Sequence, residues 1–390
     1  MRFLLGAYGP DMGGFADGVG MLHAGVADDH LAGGSLTSRG VVFGADSPSW
    51  IARHPSGDVF YAALEKRGVV QGFRRTGEET FAALGAPLPA GEATCHVSVT
   101  SDGRGLMASN WADGRVIWAQ LDDAGVPSRP QTLPTARDPY GPDADVPESS
   151  SPDLDLAAAR ALRDAAGAEY AHLVPHAKEP ETAEDAAESA RPSRAHQTIE
   201  VARGLYASAD MGLDLVRFWR VSSGAPRVAQ EVVLPRGTGP RHMALHPSGH
   251  LYVVTELSRE VYVLAWRTDT GAGAWRVVSA ASLGPTFADD TAAEIALSHV
   301  GDFVQVGVRG SNTIATLRVR GAGDSLDPVA LVEAGVDWPR HHRIERDTLL
   351  VAGQRSNAVV SLALDERTGV PGRVRHRVET PSPTCIQSLA

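Results

Sequence analysis

The sequence is poor in several features that would place it in other protein classes. Only two of its 390 residues are cysteines, Cys95 and Cys385, which excludes a disulfide framework, and we expect both to be small buried side chains. No run of about 18 apolar residues is present, which excludes a membrane-spanning helix. The apolar stretch near the start, "FLLGAY", is too short for an export signal. We therefore expect a soluble, cytoplasmic protein.

Positive charge and the common catalytic motifs are also lacking. The chain has 36 Lys and Arg against 47 Asp and Glu, a net charge of −11, which argues against a nucleic-acid partner. It contains no G-x-S-x-G elbow, phosphate-binding loop, dinucleotide fingerprint or Cys/His zinc pattern. His172 and His176 have a helical i, i+4 spacing, but Pro175 lies between them and no third ligand is evident. We expect ordinary surface histidines there, and neither a metal nor a cofactor.

An internal repeat is present instead. Each copy has a short alternating run, a turn such as Ser-Gly or Asp-Gly, and a second run rich in Val, Leu and Tyr, which is the pattern of a β-hairpin. Most copies lie about 45 to 55 residues apart, a period typical of propellers and solenoids. The copies are 2–8, 49–65, 95–110, 195–210, 239–256, 293–309 and 340–354.

Further short strands lie between these hairpins, for example Val261 to Arg267. Several strands in each of seven repeats, with almost no helix, predict an all-β protein, a seven-bladed β-propeller that forms a single domain over 1–390. The first copy lacks its first half, and the chain ends in the strand-like "TCIQSLA". We therefore expect residues 1–10 to share a blade with the C-terminal segment, which would leave no open edge.

One acidic segment, at about 136–194, interrupts the repeat. Residues 136–195 contain 13 Asp and Glu against 6 Lys and Arg. Ser151 and Pro152 have the order of an N-cap and a first helical residue, so we expect a helix over 152–166. The Pro-, Ser- and Glu-rich flanks, 136–150 and 178–192, are expected to be mobile.

The hairpins collect polar residues at one end. The turn of the fifth copy centres between Ser248 and Gly249, so Arg241 and Glu256 are expected to be cross-strand neighbours. If each hairpin holds the innermost strands of a blade, the equivalent residues of all copies ring the mouth of the central channel. At the strand starts these residues are Trp50, His96, His196, His242, Glu294 and His341, with Arg241 and Arg340 one residue earlier. At the strand ends they are Glu65, Asn110, Asp210, Glu256, Arg309 and Gln354.

This ring predicts a functional pocket rather than ordinary wet strand ends, because it concentrates His and Arg at equivalent positions. Arg241, Arg309 and Arg340 suit an anionic ligand such as a carboxylate or phosphate. His and Glu side chains beside them suit proton transfer near neutral pH. The residues therefore indicate acid/base chemistry on an anionic small molecule.

The repeats also carry a family resemblance. "GPRHMALHPSGHLYVVTEL", "CHVSVTSDGRGLMASNWADGRV", "AHQTIEVARGLYASADMG" and "RGSNTIATLRV" resemble the seven-bladed propeller lactonases, which include propeller-type 6-phosphogluconolactonase and carboxy-cis,cis-muconate cyclase. The resemblance covers the chain outside the acidic segment. It implies a catalytic set of His196, Arg241, Glu256 and Arg309. The ring at the channel mouth, independently of the resemblance, gives as substrate-binding candidates His96, His242, Glu294, Arg340, His341, Glu65 and Asn110.

The resemblance implies hydrolysis of an anionic sugar lactone, above all 6-phosphogluconolactone. Two alternatives stay open on the sequence: a carboxymuconate-type cyclase, and a non-catalytic propeller that binds a ligand or protein. The residues do not decide whether Glu256 or His196 moves the proton. Arg194 stands where the family shows the first His of a Pro-His-Ala-His run, and the acidic segment ends just before His196.

The acidic segment gives a first testable prediction. Limited proteolysis should cut within 136–150 and 178–192 before it cuts the repeats, because exposed Pro-, Ser- and Glu-rich chain is easily accommodated by a protease. Mass spectrometry of the first fragments would locate the cuts. First cuts inside the repeats, with this segment protected, would show that the segment is packed instead.

Overall fold

The computed structural model describes residues 1–26, 32–141, 191–221, 224–268, 271 and 273–389. Its strands form seven four-stranded antiparallel sheets, which confirms the predicted seven-bladed β-propeller. A single turn of 3-10 helix, Pro10–Met12, is the only helical element of these described residues. No helix among them is long and apolar enough to cross a membrane.

Each blade runs from an inner first strand to an outer fourth strand, since the first strands of neighbouring blades contact one another around the channel. Blade 1 contains β28 (Pro383–Ser388), β1 (Arg2–Ala7), β2 (Gly18–Ala24) and β3 (Leu36–Gly44). Blade 2 contains β4 (Pro48–Arg53), β5 (Val59–Leu64), β6 (Val69–Arg75) and β7 (Phe81–Pro89). Blade 3 contains β8 (Thr94–Val99), β9 (Gly105–Asn110), β10 (Val116–Leu121) and β11 (Pro127–Thr132).

The remaining four blades follow the chain in order. Blade 4 contains β12 (Ala195–Ala202), β13 (Leu205–Asp210), β14 (Leu215–Arg220) and β15 (Arg227–Val233). Blade 5 contains β16 (Pro240–Leu245), β17 (Leu251–Thr255), β18 (Glu260–Arg267) and β19 (Ala274–Ser282). Blade 6 contains β20 (Thr291–Leu297), β21 (Phe303–Arg309), β22 (Thr313–Arg320) and β23 (Ser325–Glu333). Blade 7 contains β24 (Pro339–Glu345), β25 (Thr348–Gly353), β26 (Ala358–Leu364) and β27 (Pro371–Glu379).

The two ends of the chain close the ring in blade 1. Strand β28 pairs antiparallel with β1, with Leu4 opposite Gln387 and Gly6 opposite Cys385. The predicted pairing of residues 1–10 with the C-terminal segment is therefore confirmed. Cys95 and Cys385 are both free and buried, as expected from the sequence.

The hydrophobic core lies between the blades. Phe218 of β14 stacks on Trp275 of β19 with ring centroids 4.8 Å apart, and this contact joins blades 4 and 5. Phe43 of β3 stacks in the same way on Phe73 of β6, joining blades 1 and 2. Each sheet is therefore apolar on both faces, and its inner strands read as nearly continuous apolar runs.

The repeated His-Pro-Ser-Gly turns connect neighbouring blades at the end of the channel opposite the strand starts. His246 binds Ser248 within its own turn at 2.6 Å and the carbonyl oxygen of Gly301 in blade 6 at 3.2 Å. Gly249 closes this turn with φ of +87°, a conformation that favours glycine. His54 makes the equivalent bonds from blade 2 to blade 3.

The acidic segment is described only at its ends. Residues 1–135 and 193–390 belong to one compact unit, which does not include the described residues 136–141, 191 and 192. The predicted helix over 152–166, His172 and His176 lie outside the described residues. The single domain with an insertion stays a prediction.

Packing inside blade 3 gives a stability prediction. A Cβ atom added at Gly105 would lie 1.9 Å from Cη2 of Trp118. Gly105→Ala should therefore lower the free energy of unfolding by about 1–3 kcal/mol, because the buried indole must shift. Gly372→Ala is the matched control, since its Cβ would meet only a carbonyl oxygen at 3.5 Å. Chemical denaturation of both variants checks this, and equal midpoints would contradict it.

Candidate active site

A β-bulge recurs at the start of every first strand. In each blade the register between the first two strands shifts by one residue, for example between Pro240 and His242 in blade 5. A bulge re-aims side chains, and here two successive side chains of the first strand line the channel. The upper positions hold Ser49, Cys95, His196, Arg241, Ala293, Arg340 and Thr384. The lower positions hold Trp50, His96, Gln197, His242, Glu294, His341 and Cys385.

The bulges correct the alignment expected from the sequence. His196 is equivalent to Arg241 and Arg340, and Gln197 occupies the position of His242. Asn110 and Asp210 occupy the position of Thr255, one residue before the position at which Glu256 faces the channel. The sequence-based pairing placed them in the pocket because it assumed that the two strands of each hairpin have equal length, with no extra residue on the first strand.

Asn110 and Asp210 instead hold turns of the backbone. The Asn110 amide donates to the carbonyl oxygens of Ala90 and Arg115 at 3.1 and 2.9 Å. The Asp210 carboxylate accepts the backbone N–H groups of Arg194 and Leu213 at 2.8 and 3.1 Å. The structure therefore does not bring either side chain to the predicted pocket.

The four residues of the implied catalytic set do come together. Oε2 of Glu256 lies 2.8 Å from Nε of Arg241 and 2.9 Å from Nη2 of Arg309, so one carboxylate oxygen joins two guanidinium groups. Arg241 and Arg309 are buried, and Glu256 is partly exposed. His196 lines the same small pocket as Arg241, and its ring contacts His242 with ring centroids 4.9 Å apart.

A second polar group stands at the same mouth. Nη2 of Arg340 donates to the Tyr8 hydroxyl at 2.6 Å, and that hydroxyl lies 3.1 and 3.2 Å from the two oxygens of Glu65. Nη1 of Arg340 donates to Gln354 at 3.3 Å. Tyr8 was not among the sequence candidates, although it ends the first repeat at the position of Glu65 and Glu256. We call His196, Arg241, Arg340, Tyr8, Glu65, Glu256 and Arg309 the mouth cluster.

Below the mouth cluster lies a layer of histidines packed around Trp50. The centroid of the Trp50 ring lies 4.6 Å from that of His96, 5.3 Å from that of His242 and 5.2 Å from that of His341. Oε2 of Glu294 lies 2.9 Å from Nδ1 of His242 and 3.4 Å from Nε2 of His341. We call Trp50, His96, His242, Glu294 and His341 the histidine layer.

Two spaces adjoin this layer. A pocket of about 10 Å³, roughly what one water molecule needs, is lined by residues of both the mouth cluster and the layer. A larger cavity of about 270 Å³ is lined by Trp50, Glu294, His341 and Gln197. His341 therefore borders the larger cavity, whereas His196 and His242 border the small pocket.

Burial keeps the histidines neutral. It holds the pKa of His196 and of His242 well below the usual range, and the positive charge of Arg241 lowers both further. Burial likewise lowers the pKa of His341 to about 3, although Glu294 opposes the shift. Burial also lowers the pKa of Arg309 to about 10, so this guanidinium still carries its charge at neutral pH.

No group of three or more His, Cys, Asp or Glu side chains that could hold a metal ion occurs among the described residues. The mouth cluster is instead an array of cationic donors. Arg309 and Arg340 are further supported by aromatic rings, at 5.3 Å from Trp338 and 4.9 Å from Tyr8. Such an array can hold an anion and can stabilise negative charge that develops during a reaction.

A family model described as a seven-bladed β-propeller lactonase matches residues 23–388. The chain belongs to that family. A 6-phosphogluconolactonase from Bacillus subtilis is 24% identical over 356 residues, which cover 88% of this chain and 87% of that protein. The family match covers blades 2 to 7 completely and, in blade 1, strands β3 and β28.

Solved structures share the fold. The periplasmic gluconolactonase of Pseudomonas aeruginosa superposes with a TM-score of 0.77 over 100% of both chains, at 20% identity. A protein from Lactobacillus plantarum superposes with a TM-score of 0.76 at 21% identity, covering 99% of this chain and 98% of that one.

The neutral histidines of the channel predict a pH-dependent stability. His341 binds a proton in the unfolded chain below about pH 6.5, whereas in the folded chain it does so only near pH 3. The unfolded state therefore binds more protons in this window, and stability falls as the pH falls, by about 1.4 kcal/mol per pH unit for this residue.

His341→Gln removes that contribution, so the free energy of unfolding of the variant should fall less steeply between pH 6.5 and 5. Urea titrations of both proteins at pH 7.5 and pH 5 measure the difference, with the pH 7.5 values correcting for any packing change. The same loss in both proteins would contradict the prediction.

Proposed function

We propose that this protein hydrolyses an anionic sugar lactone, with 6-phosphoglucono-δ-lactone as the first substrate to test. The observation that carries the proposal is the charge of the mouth cluster. Its three guanidinium groups, on Arg241, Arg309 and Arg340, face only two carboxylates, on Glu65 and Glu256. Within the mouth cluster one positive charge is therefore not matched by a carboxylate, since His196 is neutral.

Unused hydrogen-bond donors support an anion at this place. Nη1 of Arg241 and Nε of Arg309 are buried and make no hydrogen bond within the described residues. A buried donor without a partner is costly, and a phosphate, carboxylate or oxyanion would satisfy both. A hydrolysed lactone develops negative charge on its carbonyl oxygen, which such donors stabilise in the transition state.

Glu256 is assigned the role of organising these donors. Its Oε2 atom is shared by two guanidinium groups from different blades, so it fixes where Arg241 and Arg309 can point. The geometry needed for catalysis is narrow, and loosening a binding group by about 1 Å is enough to slow a reaction a hundredfold.

The family supports the reaction class. The Bacillus subtilis relative is named for hydrolysis of 6-phosphogluconolactone, and it matches this chain over most of both lengths. The Pseudomonas aeruginosa structure with the same fold is named as a gluconolactonase. Ester hydrolysis without a metal is part of the proposal, and an assay in chelator tests it.

Glu256→Gln should lower kcat/KM for the phosphorylated lactone by about a hundredfold or more, because the amide no longer neutralises and holds the two arginines. Initial rates are measured in chelator for 6-phosphoglucono-δ-lactone and glucono-δ-lactone, after subtraction of spontaneous hydrolysis. Glu231→Gln is the matched control, since it breaks the ion pair with Arg217 at 2.8 Å in the outer strands of blade 4.

Equal rates for the phosphorylated and the neutral lactone would contradict the anion-binding role of the arginines. If no lactone is turned over faster than the blank, the proposed function is overturned and a binding protein is favoured. Formation of a lactone from an unsaturated diacid, with no hydrolysis of sugar lactones, would favour the cyclase.

A further inference from the structure

The pocket of about 10 Å³ below the mouth cluster has unsatisfied polar atoms in its walls. Oγ of Ser49, Nδ1 of His196 and Nη1 of Arg241 are all buried, and none has a hydrogen-bond partner among the residues that the structure describes. All three residues line this one pocket. A pocket of this size with two to four polar partners is the setting in which a single buried water molecule is stable.

One wall of the same pocket is His242, whose ring is held by a carboxylate. Oε2 of Glu294 lies 2.9 Å from Nδ1 of His242, so Nδ1 carries the ring proton and donates a hydrogen bond to Glu294. Nε2, on the other side of the ring, makes no hydrogen bond within the described ranges. A neutral imidazole of this kind presents a lone pair that can accept a proton.

A second histidine lies on the other side of Glu294. Nδ1 of His341 accepts the backbone N–H of Ile386 at 3.3 Å, so its proton lies on Nε2, which faces Glu294 at 3.4 Å. Oε2 of Glu294 thus lies between two histidines of different blades, with a hydrogen bond to His242 and a longer approach of 3.4 Å to His341. This arrangement matches the carboxylate–imidazole pair that prepares a histidine for proton transfer.

We propose that the pocket is a binding site for the hydrolytic water, and that His242, oriented by Glu294, takes a proton from this water. The proposal rests on the proposed lactonase function and goes beyond the His, Glu and two Arg of the implied catalytic set. Glu256 then orients the arginines, and His196 and Ser49 hold the water.

The step balances with water as the only co-reactant. The water oxygen forms a bond to the lactone carbonyl carbon while one water proton passes to Nε2 of His242. The negative charge on the carbonyl oxygen is met by Arg241 and Arg309. When the ring C–O bond breaks, the leaving ring oxygen takes the proton back from His242, and the product is the open hydroxy acid.

The proposal also separates hydrolysis from cyclisation. Intramolecular ring closure of an unsaturated diacid consumes no water, and so it requires no water site beside a base. A built water site at the floor of the mouth therefore favours the hydrolase.

Two variants test the role of the pair. His242→Gln should lower kcat about 10²–10⁴-fold with little change in KM, because the arginines that bind the anion remain. Glu294→Gln should lower kcat about 10–100-fold, as expected for a group that acts through another. His246→Gln is the matched control, because it removes a histidine next to the same strand at the opposite end of the channel.

The pH profile separates orientation from mere packing. Three charged groups around His242 disfavour its protonation, namely Arg241, Arg309 and Arg340, and the carboxylate of Glu294 favours it. The titratable neighbours of His242 are His96, His196, His341 and His342. Glu294→Gln should therefore move the acid limb of kcat to lower pH. An unmoved limb would show that Glu294 acts only as packing.

A crystal structure that resolves ordered water provides a readout independent of turnover. We expect one water within hydrogen-bond distance of Nε2 of His242 and Nη1 of Arg241, and its loss in Ser49→Val, which replaces the hydroxyl with an apolar branch. An empty pocket would overturn the water site, and a His242→Gln variant with kcat within threefold of wild type would overturn the base. Failure of the wild type on every lactone would instead overturn the proposed function.

Discussion

Closure of the ring is the constraint on which the rest of this structure depends. All seven blades have the same strand order, so their first strands begin at the same end of the channel, and the pairing of β28 with β1 completes blade 1 and closes the ring. Residues far apart in sequence then meet there, as Tyr8 and Arg340 do across 332 positions. Each member of the mouth cluster contributes from the edge of its blade, so no single repeat contains the site. The positions of the guanidinium groups are consequences of closure.

The channel mouth includes a strained backbone position at Trp338. Trp338 has φ of +61° at the position that Gly239 occupies with φ of +65° in blade 5. A non-glycine residue in this conformation costs about 1–3 kcal/mol and persists where the surrounding structure demands it. The Trp338 indole lies 5.3 Å from the Arg309 guanidinium and 3.5 Å from that of Arg355. The strained backbone thus places an aromatic face against one of the arginines that hold Glu256.

The sequence predicts the parts that repeat and misses the parts that depend on register. Seven hairpins with their turns are enough to predict the blades, the terminal pairing and the meeting of Arg241 with Glu256. A one-residue bulge is invisible in the hydrophobic pattern, because it shifts register without changing composition. For that reason Asn110 and Asp210 were expected in the pocket and lie outside it, whereas Tyr8 and Ser49 were overlooked. The pairing of Glu294 with His242 crosses two blades, and no local pattern encodes it.

The neutral histidine layer explains how this mouth combines two opposing demands. An anionic substrate requires uncompensated positive charge, whereas removal of a proton from water requires a nearby group that is not already protonated. Burial against Trp50 and the field of the arginines keep His242 and His196 uncharged, so the excess positive charge stays on the guanidinium groups. Glu294, within the histidine layer, favours the imidazolium form of His242, and its ion-pair distances among the described residues are to His242 and His341 rather than to the arginines at the mouth. Charge for binding and a base for proton transfer can therefore coexist within one narrow channel, because the two carboxylates Glu256 and Glu294 serve different cationic partners on different levels.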